Sequence, residues 1–261
     1  MISKKVYIVL FIILFVFFIV MFALFGVDNI KQEQYSSVVI VGDSSVWKYE
    51  DKRWLNIRTR GSLENLSWQK YHIFLDNKEI GEYNLWYNTD RWYAFDDKKN
   101  AIQVDNTLIA YQANYDMKIK GFEIENIEND EYVNQVFKKH NIGLTSIPTS
   151  LYKTKFDFDN DNVEEEFYIM SNAFSTETEP EKTYSIAFYV KNETINYLYE
   201  YVETNTKAYE GCKPYYNAFL DVNNDNIYEF ILSCGKYSAN KQIDMLYQYI
   251  DDGFKIVISN Q

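Results

Sequence analysis

Apolar and polar positions alternate along this chain in three regimes. Residues 6–27 form one charge-free apolar run of 22 positions. At 1.5 Å per residue such a helix spans about 33 Å, enough to cross a bilayer core. The run exceeds the apolar core of a secretion signal and ends without a small-residue cleavage pattern. It predicts an uncleaved signal-anchor helix. Lys4 and Lys5 precede it, which orients the N-terminus to the cytoplasm and the rest of the chain outward. Residues 28–35 are polar and read as a short stalk. From there the period shortens to two. Short β-branched and aromatic runs at 36–41, 54–58, 71–75, 80–86, 91–95, 107–112 and 115–119 are separated by Asn, Asp and Gly turns. They predict an antiparallel meander over residues 28–125.

One soluble helix is expected, at 129–140, within a connector over 126–150. Asn129 or Asp130 can cap it, Glu131 suits its first turn, and Lys138, Lys139 and His140 suit its last. Tyr132, Val133, Val136 and Phe137 make its apolar stripe. Residues 151–261 then repeat one pattern twice: strand, acidic loop, strand, turn, hairpin. The fold class expected is all-β, built of antiparallel, propeller-blade-like four-stranded units, with one N-terminal transmembrane helix and one short connector helix. Two blades cannot close a propeller, which takes about four to eight. Either the 35–125 strands supply further blades, or the units form an open sheet or sandwich.

The two acidic loops carry the candidate chemistry. Counted from Asp157 and from Asp221, they match at five positions and begin 64 residues apart. Calcium takes about six to eight oxygen ligands, which a short loop supplies at alternate positions. The first set is Asp157, Asp159 and Asp161, then the carbonyl of Val163 and the carboxylate of Glu165. The second is Asp221, Asn223 and Asp225, then the carbonyl of Ile227 and the carboxylate of Glu229. Asn162 and Asn226 occupy the sixth position, where the turn needs positive φ and Asn is tolerated after Gly. The spacing resembles the D-x-[DN]-x-D-G-x-x-[DE] loop of FG-GAP repeats, the calcium-bearing blades of integrin-type β-propellers. The resemblance covers about residues 150–261 and implies bound calcium in each unit. Two departures stand out: Asn replaces the motif's Gly in both copies, and Glu166 follows the last acid of the first copy where an apolar residue is usual. The alternative is an Asx-rich turn with no ion, since Asp and Asn bond their own backbone.

Charge sharpens the picture. The chain has 26 basic and 38 acidic residues. Without Lys4 and Lys5, the part beyond the apolar run carries 24 against 38, a net −14. Such a domain repels nucleic acid and anionic polymers and attracts divalent cations. Cys212 and Cys234 are the two cysteines and flank the second loop. An outward-facing domain favours a disulfide between them; two buried thiols are the alternative. Trp47, Trp54, Trp68, Trp86 and Trp92 all lie in the N-terminal part, either as core packing or as faces that stack on sugars or a protein. No nucleophile elbow, zinc-protease helix or phosphate loop is present. The function expected is a membrane-anchored, extracytoplasmic calcium-binding β protein that binds a protein or glycan, not an enzyme. The alternatives are a cell-wall hydrolase using paired carboxylates and an assembly subunit of a membrane complex.

Overall fold

The computed structural model describes residues 37–42, 45–76, 78–88, 91–102, 108–112, 117–143, 146–173, 182–204, 212–236 and 241–260. The apolar run at 6–27 and the stalk lie outside the described residues, as do parts of several turns. Among the described residues, no helix is long and apolar enough to cross a membrane.

The described residues are mostly antiparallel β, and their strands form three sheets. The first is built from β1 (Ser37–Val41), β2 (Ser45–Glu50), β3 (Arg53–Asn56), β4 (Lys70–Leu75), β5 (Lys78–Asn88), β6 (Arg91–Phe95), β7 (Ala101–Ile102) and β8 (Ile109–Gln112). Their order is β3-β2-β1-β8-β4-β5-β6-β7. This is not the plain meander expected, because β8 inserts between β1 and β4 and pairs with both. A two-turn helix that the apolar pattern did not signal, α1 (Arg60–Asn65), buries Leu63 on the outer face of this sheet.

The chain then supplies β9 (Lys118–Lys120), β10 (Glu125–Asn126) and helix α2 (Glu131–His140). The expected helix begins at Glu131, with Asp130 as its cap: its carboxylate accepts from the N–H groups of Tyr132 and Val133. Asn141 ends it in the left-handed conformation. Two four-stranded meanders follow. The first is β11 (Ser150–Phe156), β12 (Glu165–Ser171), β13 (Lys182–Lys191) and β14 (Thr194–Thr204). The second is β15 (Cys212–Asp221), β16 (Glu229–Lys236), β17 (Lys241–Ile250) and β18 (Gly253–Ser259). Each gains one edge strand from upstream: β10 pairs with β11, and β9 with β15. The expected pairing of the 107–112 and 115–119 runs is thus replaced. The latter run contributes β9 to the second meander, because the edge of β15 offers unpaired backbone groups.

The two meanders match in detail. Each ends in a hairpin turned by two residues at positive φ, Asn192-Glu193 and Asp251-Asp252, the backbone that a two-residue turn needs to follow strand twist. Each hairpin shifts register at the same place, between Ala187 and Phe188 and between Leu246 and Tyr247.

They stack in the same orientation. Phe156, Phe167 and Ala187 of the first pack into a core shared with the second. Their counterparts Leu220, Ile231 and Leu246 pack instead against Val39, Trp47 and Ile109 of the eight-stranded sheet. The opposite face of the first meander, with Tyr168, Met170 and Phe188, is covered by Val133 and Val136 of α2. Sheets buried on both faces need apolar residues at successive positions, which explains the runs Phe167–Met170 (FYIM) and Phe230–Leu232 (FIL). The layers therefore run α1, eight-stranded sheet, second meander, first meander, α2. No sheet closes into a propeller. A stack capped at both ends by helices has covered its apolar faces and needs no ring closure.

Cys212 and Cys234 are joined by a disulfide, Cα atoms 5.5 Å apart, diagonally across β15 and β16. Trp47 and Trp92 are fully buried. Trp68 is 61% exposed, holds φ +63°, and stacks on Trp86 and Phe95 at 5.8 and 5.7 Å.

Candidate metal centre in the first acidic loop

Both acidic loops are hairpin connections at matching corners of the two meanders, loop one between β11 and β12 and loop two between β15 and β16. They are wound alike. In loop one the carboxylate of Asp157 accepts from the N–H of Asp161 at 3.2 Å and of Asn162 at 3.1 Å. In loop two Asp221 accepts from Asp225 and Asn226, both at 3.1 Å. Asp161 and Asp225 each accept from the N–H two residues on, Val163 and Ile227, at 2.7 and 2.8 Å. Asn162 and Asn226 have φ of +69° and +66°, and Asn160 and Asn224 of +55° and +57°. The winding that the sixth position requires is therefore present with Asn in place of Gly.

The loops touch. The N–H of Tyr228 donates to the carbonyl of Phe158 at 2.7 Å, and Asn160 Nδ2 donates to the carbonyl of Asn226 at 2.7 Å. Phe158 itself, at the second position of loop one, is fully buried between the meanders.

The loops differ in what their acids do. In loop one, Asp157, Asp159 and Glu165 each bring a carboxylate oxygen within 4.8 Å of the others. Glu165 is 3% exposed. Its Oε2 and Asp159 Oδ1 are buried with no hydrogen-bond partner. Burial pushes the Glu165 carboxyl up to about 7; Lys191 opposes the shift and Asp159 adds to it. The Lys191 ammonium pairs with Asp159 Oδ2 and lies 3.6 Å from Glu165 Oε1. Burial pulls the Lys191 pKa down, but the hydrogen bond to Asp159 and the charges of Glu165 and Asp159 raise it on balance. One ammonium thus faces two of the three converging carboxylates. Asp161 sends one oxygen to the backbone of its own loop, and the Val163 side chain is exposed.

In loop two the corresponding acid is satisfied by the protein. Glu229 Oε2 accepts from the N–H of Val222 and Oε1 from Gln248 Nε2, both at 3.1 Å. Burial pushes its carboxyl up to about 8. Asp221 is fully buried with Lys118 Nζ 3.6 Å away, and Asn223 Nδ2 donates to Asp225 Oδ2 at 2.9 Å. Ile227 is half-buried and packs against the core between the meanders. Among the described residues, the loop-one acids are the one group of three metal-ligating side chains that converges. From Glu166, sequence reasoning took loop one as the weaker or differently wound copy, whereas the two loops are wound alike; it missed Lys191 and Gln248. Both lie on strands far along the chain, and no local spacing marks them.

All donors in loop one are oxygens, which suits a hard cation such as calcium or magnesium over zinc. Two buried carboxylate oxygens without donors are costly unless a cation meets them. The set thus fits a hard cation, with Asp157, Asp159 and Glu165 as the residues that would hold it. Asp157 and Glu164 also line a cleft of about 730 Å³, together with Asp76, Lys120, Phe122 and Lys155, so the loop is reached from solvent. No family model, curated protein or solved structure matches this chain.

Proposed function

We propose that this chain is a calcium-braced β protein, held at the membrane by the 6–27 run, that serves as an extracytoplasmic binding module for a protein or glycan. The observation that carries the calcium reading is the buried Glu165 carboxylate, with an unpartnered oxygen beside Asp157 and Asp159. An ion there ties the start of β12 to the loop that meets loop two, and so clamps the corner where the meanders join. Two like-oriented meanders with matching loops and matching hairpin shifts favour kinship with FG-GAP-like units. The disulfide favours an oxidising compartment. The exposed Trp68, stacked on Trp86 and Phe95, favours a recognition role, since such rings are used to anchor partners.

Thermal melts of the intact chain in calcium and in chelator test the brace. A ligand that binds only the folded state stabilises it by about 2.7 kcal/mol at a hundred times its Kd. The midpoint is expected to rise with calcium, and the rise to disappear in Asp159→Asn and Glu165→Gln. Identical midpoints in calcium and chelator would refute the brace.

A further inference from the structure

We infer that Lys191 and a divalent cation compete for one set of carboxylates, so that loop one alternates between a lysine-closed and a metal-bound state. This competition presupposes the cation reading above and adds its regulation. Lys191 is the last residue of β13, one step beyond Val190, which pairs with Glu166 of β12, so it falls beside Glu165 at the end of loop one. Its ammonium satisfies Asp159 Oδ2 and approaches Glu165 Oε1. The remaining oxygen of each, Asp159 Oδ1 and Glu165 Oε2, is the one left without a donor. The lysine therefore half-fills a site whose other half is open. A dication drawn to those oxygens would sit within a few ångströms of a fixed positive charge, where repulsion is strong even at a protein surface. One of the two must leave, and the lysine can. Its stem is flexible, and its ammonium lies over the rings of Phe158 and Tyr249, 4.5 and 5.3 Å from their centroids. Its side chain keeps 20% of its exposure, so solvent is within reach.

The second meander supplies the contrast. The place of Lys191, immediately before the two-residue turn, is taken there by Ile250. Glu229 is met instead by the neutral amide of Gln248. Each loop thus has one lysine, Lys118 at Asp221 and Lys191 at Asp159 and Glu165, but only Lys191 stands beside the acids that converge. Its expected effect is to keep calcium weak and releasable. Loading then follows the free cation at the concentrations met by extracellular modules, about 10⁻⁴–10⁻³ M.

The test is calcium titration by calorimetry on the intact chain and on Lys191→Met and Lys191→Arg, with melts of each in chelator and in calcium. Lys191→Met is expected to bind calcium at least about tenfold more tightly than the wild type. Lys191→Arg keeps the charge and should stay weak. In chelator, Lys191→Met should melt below the wild type, because Glu165 and Asp159 lose their counter-charge; calcium should close that gap. Equal affinities in wild type and Lys191→Met would overturn the competition and leave the calcium brace standing. Binding by Lys191→Met alone would support the competition and overturn the brace for the native chain. No binding by either would overturn both.

Discussion

At the scale of single residues, the decisive quantity is whether a buried polar atom has a partner. Glu165 and Glu229 hold the same place in two matching loops, yet only Glu229 has both oxygens met by donors, Val222 and Gln248. The loop acids and the positive φ at Asn162 and Asn226 were legible in the sequence, because both depend on spacing within nine residues. The difference between the two glutamates was not, because it depends on side chains from β13 and β17. His140 offers a second test at this scale. It ends α2, where a helix C-terminus favours a charged imidazole. Burial nevertheless lowers its pKa below 6.5, with Glu200 opposing. The folded chain thus holds it neutral where the unfolded chain takes up a proton. The stability tied to this group is present above about pH 6.5 and is lost as pH falls below it. Chemical denaturation at pH 7.5 and pH 5.5 should show the wild type losing more stability than His140→Gln over that interval; parallel losses would show that His140 does not titrate differently on folding.

At the scale of elements, the hairpin corners are set by residues that tolerate left-handed backbone. Four Asn residues, two in each acidic loop, sit at φ between +55° and +69°. A β-branched residue there strains against its own carbonyl, at roughly 1–2 kcal/mol. Asn162→Val and Asn226→Val should each destabilise by about that amount, while Asn162→Gly and Asn226→Gly should be nearly neutral, as read from denaturation midpoints in chelator. Helix α2 was readable from its stripe and caps: Val133 and Val136 are buried against β12 and β13 as the period requires, and Asp130 caps as a carboxylate should. Helix α1 was not. Its six residues RGSLEN contain one buried apolar side chain, Leu63, so there is no period to detect. Strands β9 and β10 were equally opaque in their pairing, since a three- or two-residue strand carries no mark of the edge it will join.

At the scale of the whole molecule, the disulfide and a buried polar cluster tie distant parts together. Asp244 is fully buried between sheets and accepts from Ser45 of β2 at 2.6 Å, from Ser233 of β16 at 2.6 Å and from Asn260 at 3.2 Å. It thereby pins the eight-stranded sheet to the second meander. Asp244→Asn turns an amide donor toward those donors and should cost about 1–3 kcal/mol, measured as a shift in the unfolding midpoint with no change in sheet content. The Cys212–Cys234 bridge closes a separation of 22 residues. Its reduction should lower stability by about 3 kcal/mol through the freedom returned to the unfolded chain, seen as a lower melting point in reductant that Cys212→Ser reproduces. By itself, the sequence determined the β character, the duplicated loops, the capped helix and the cysteine pair, because each follows from local backbone preference or from a repeat that can be aligned by eye. Only the tertiary structure decided that the sheets stack between two helices without closing a ring, that β8 inserts beside β1, and that one acidic loop gathers its carboxylates around an open pair of oxygens while the other is satisfied from within. Those outcomes turn on which faces and donors meet between separate strands, from the 19 residues between Glu229 and Gln248 to the 199 between Ser45 and Asp244, and such contacts leave no local pattern.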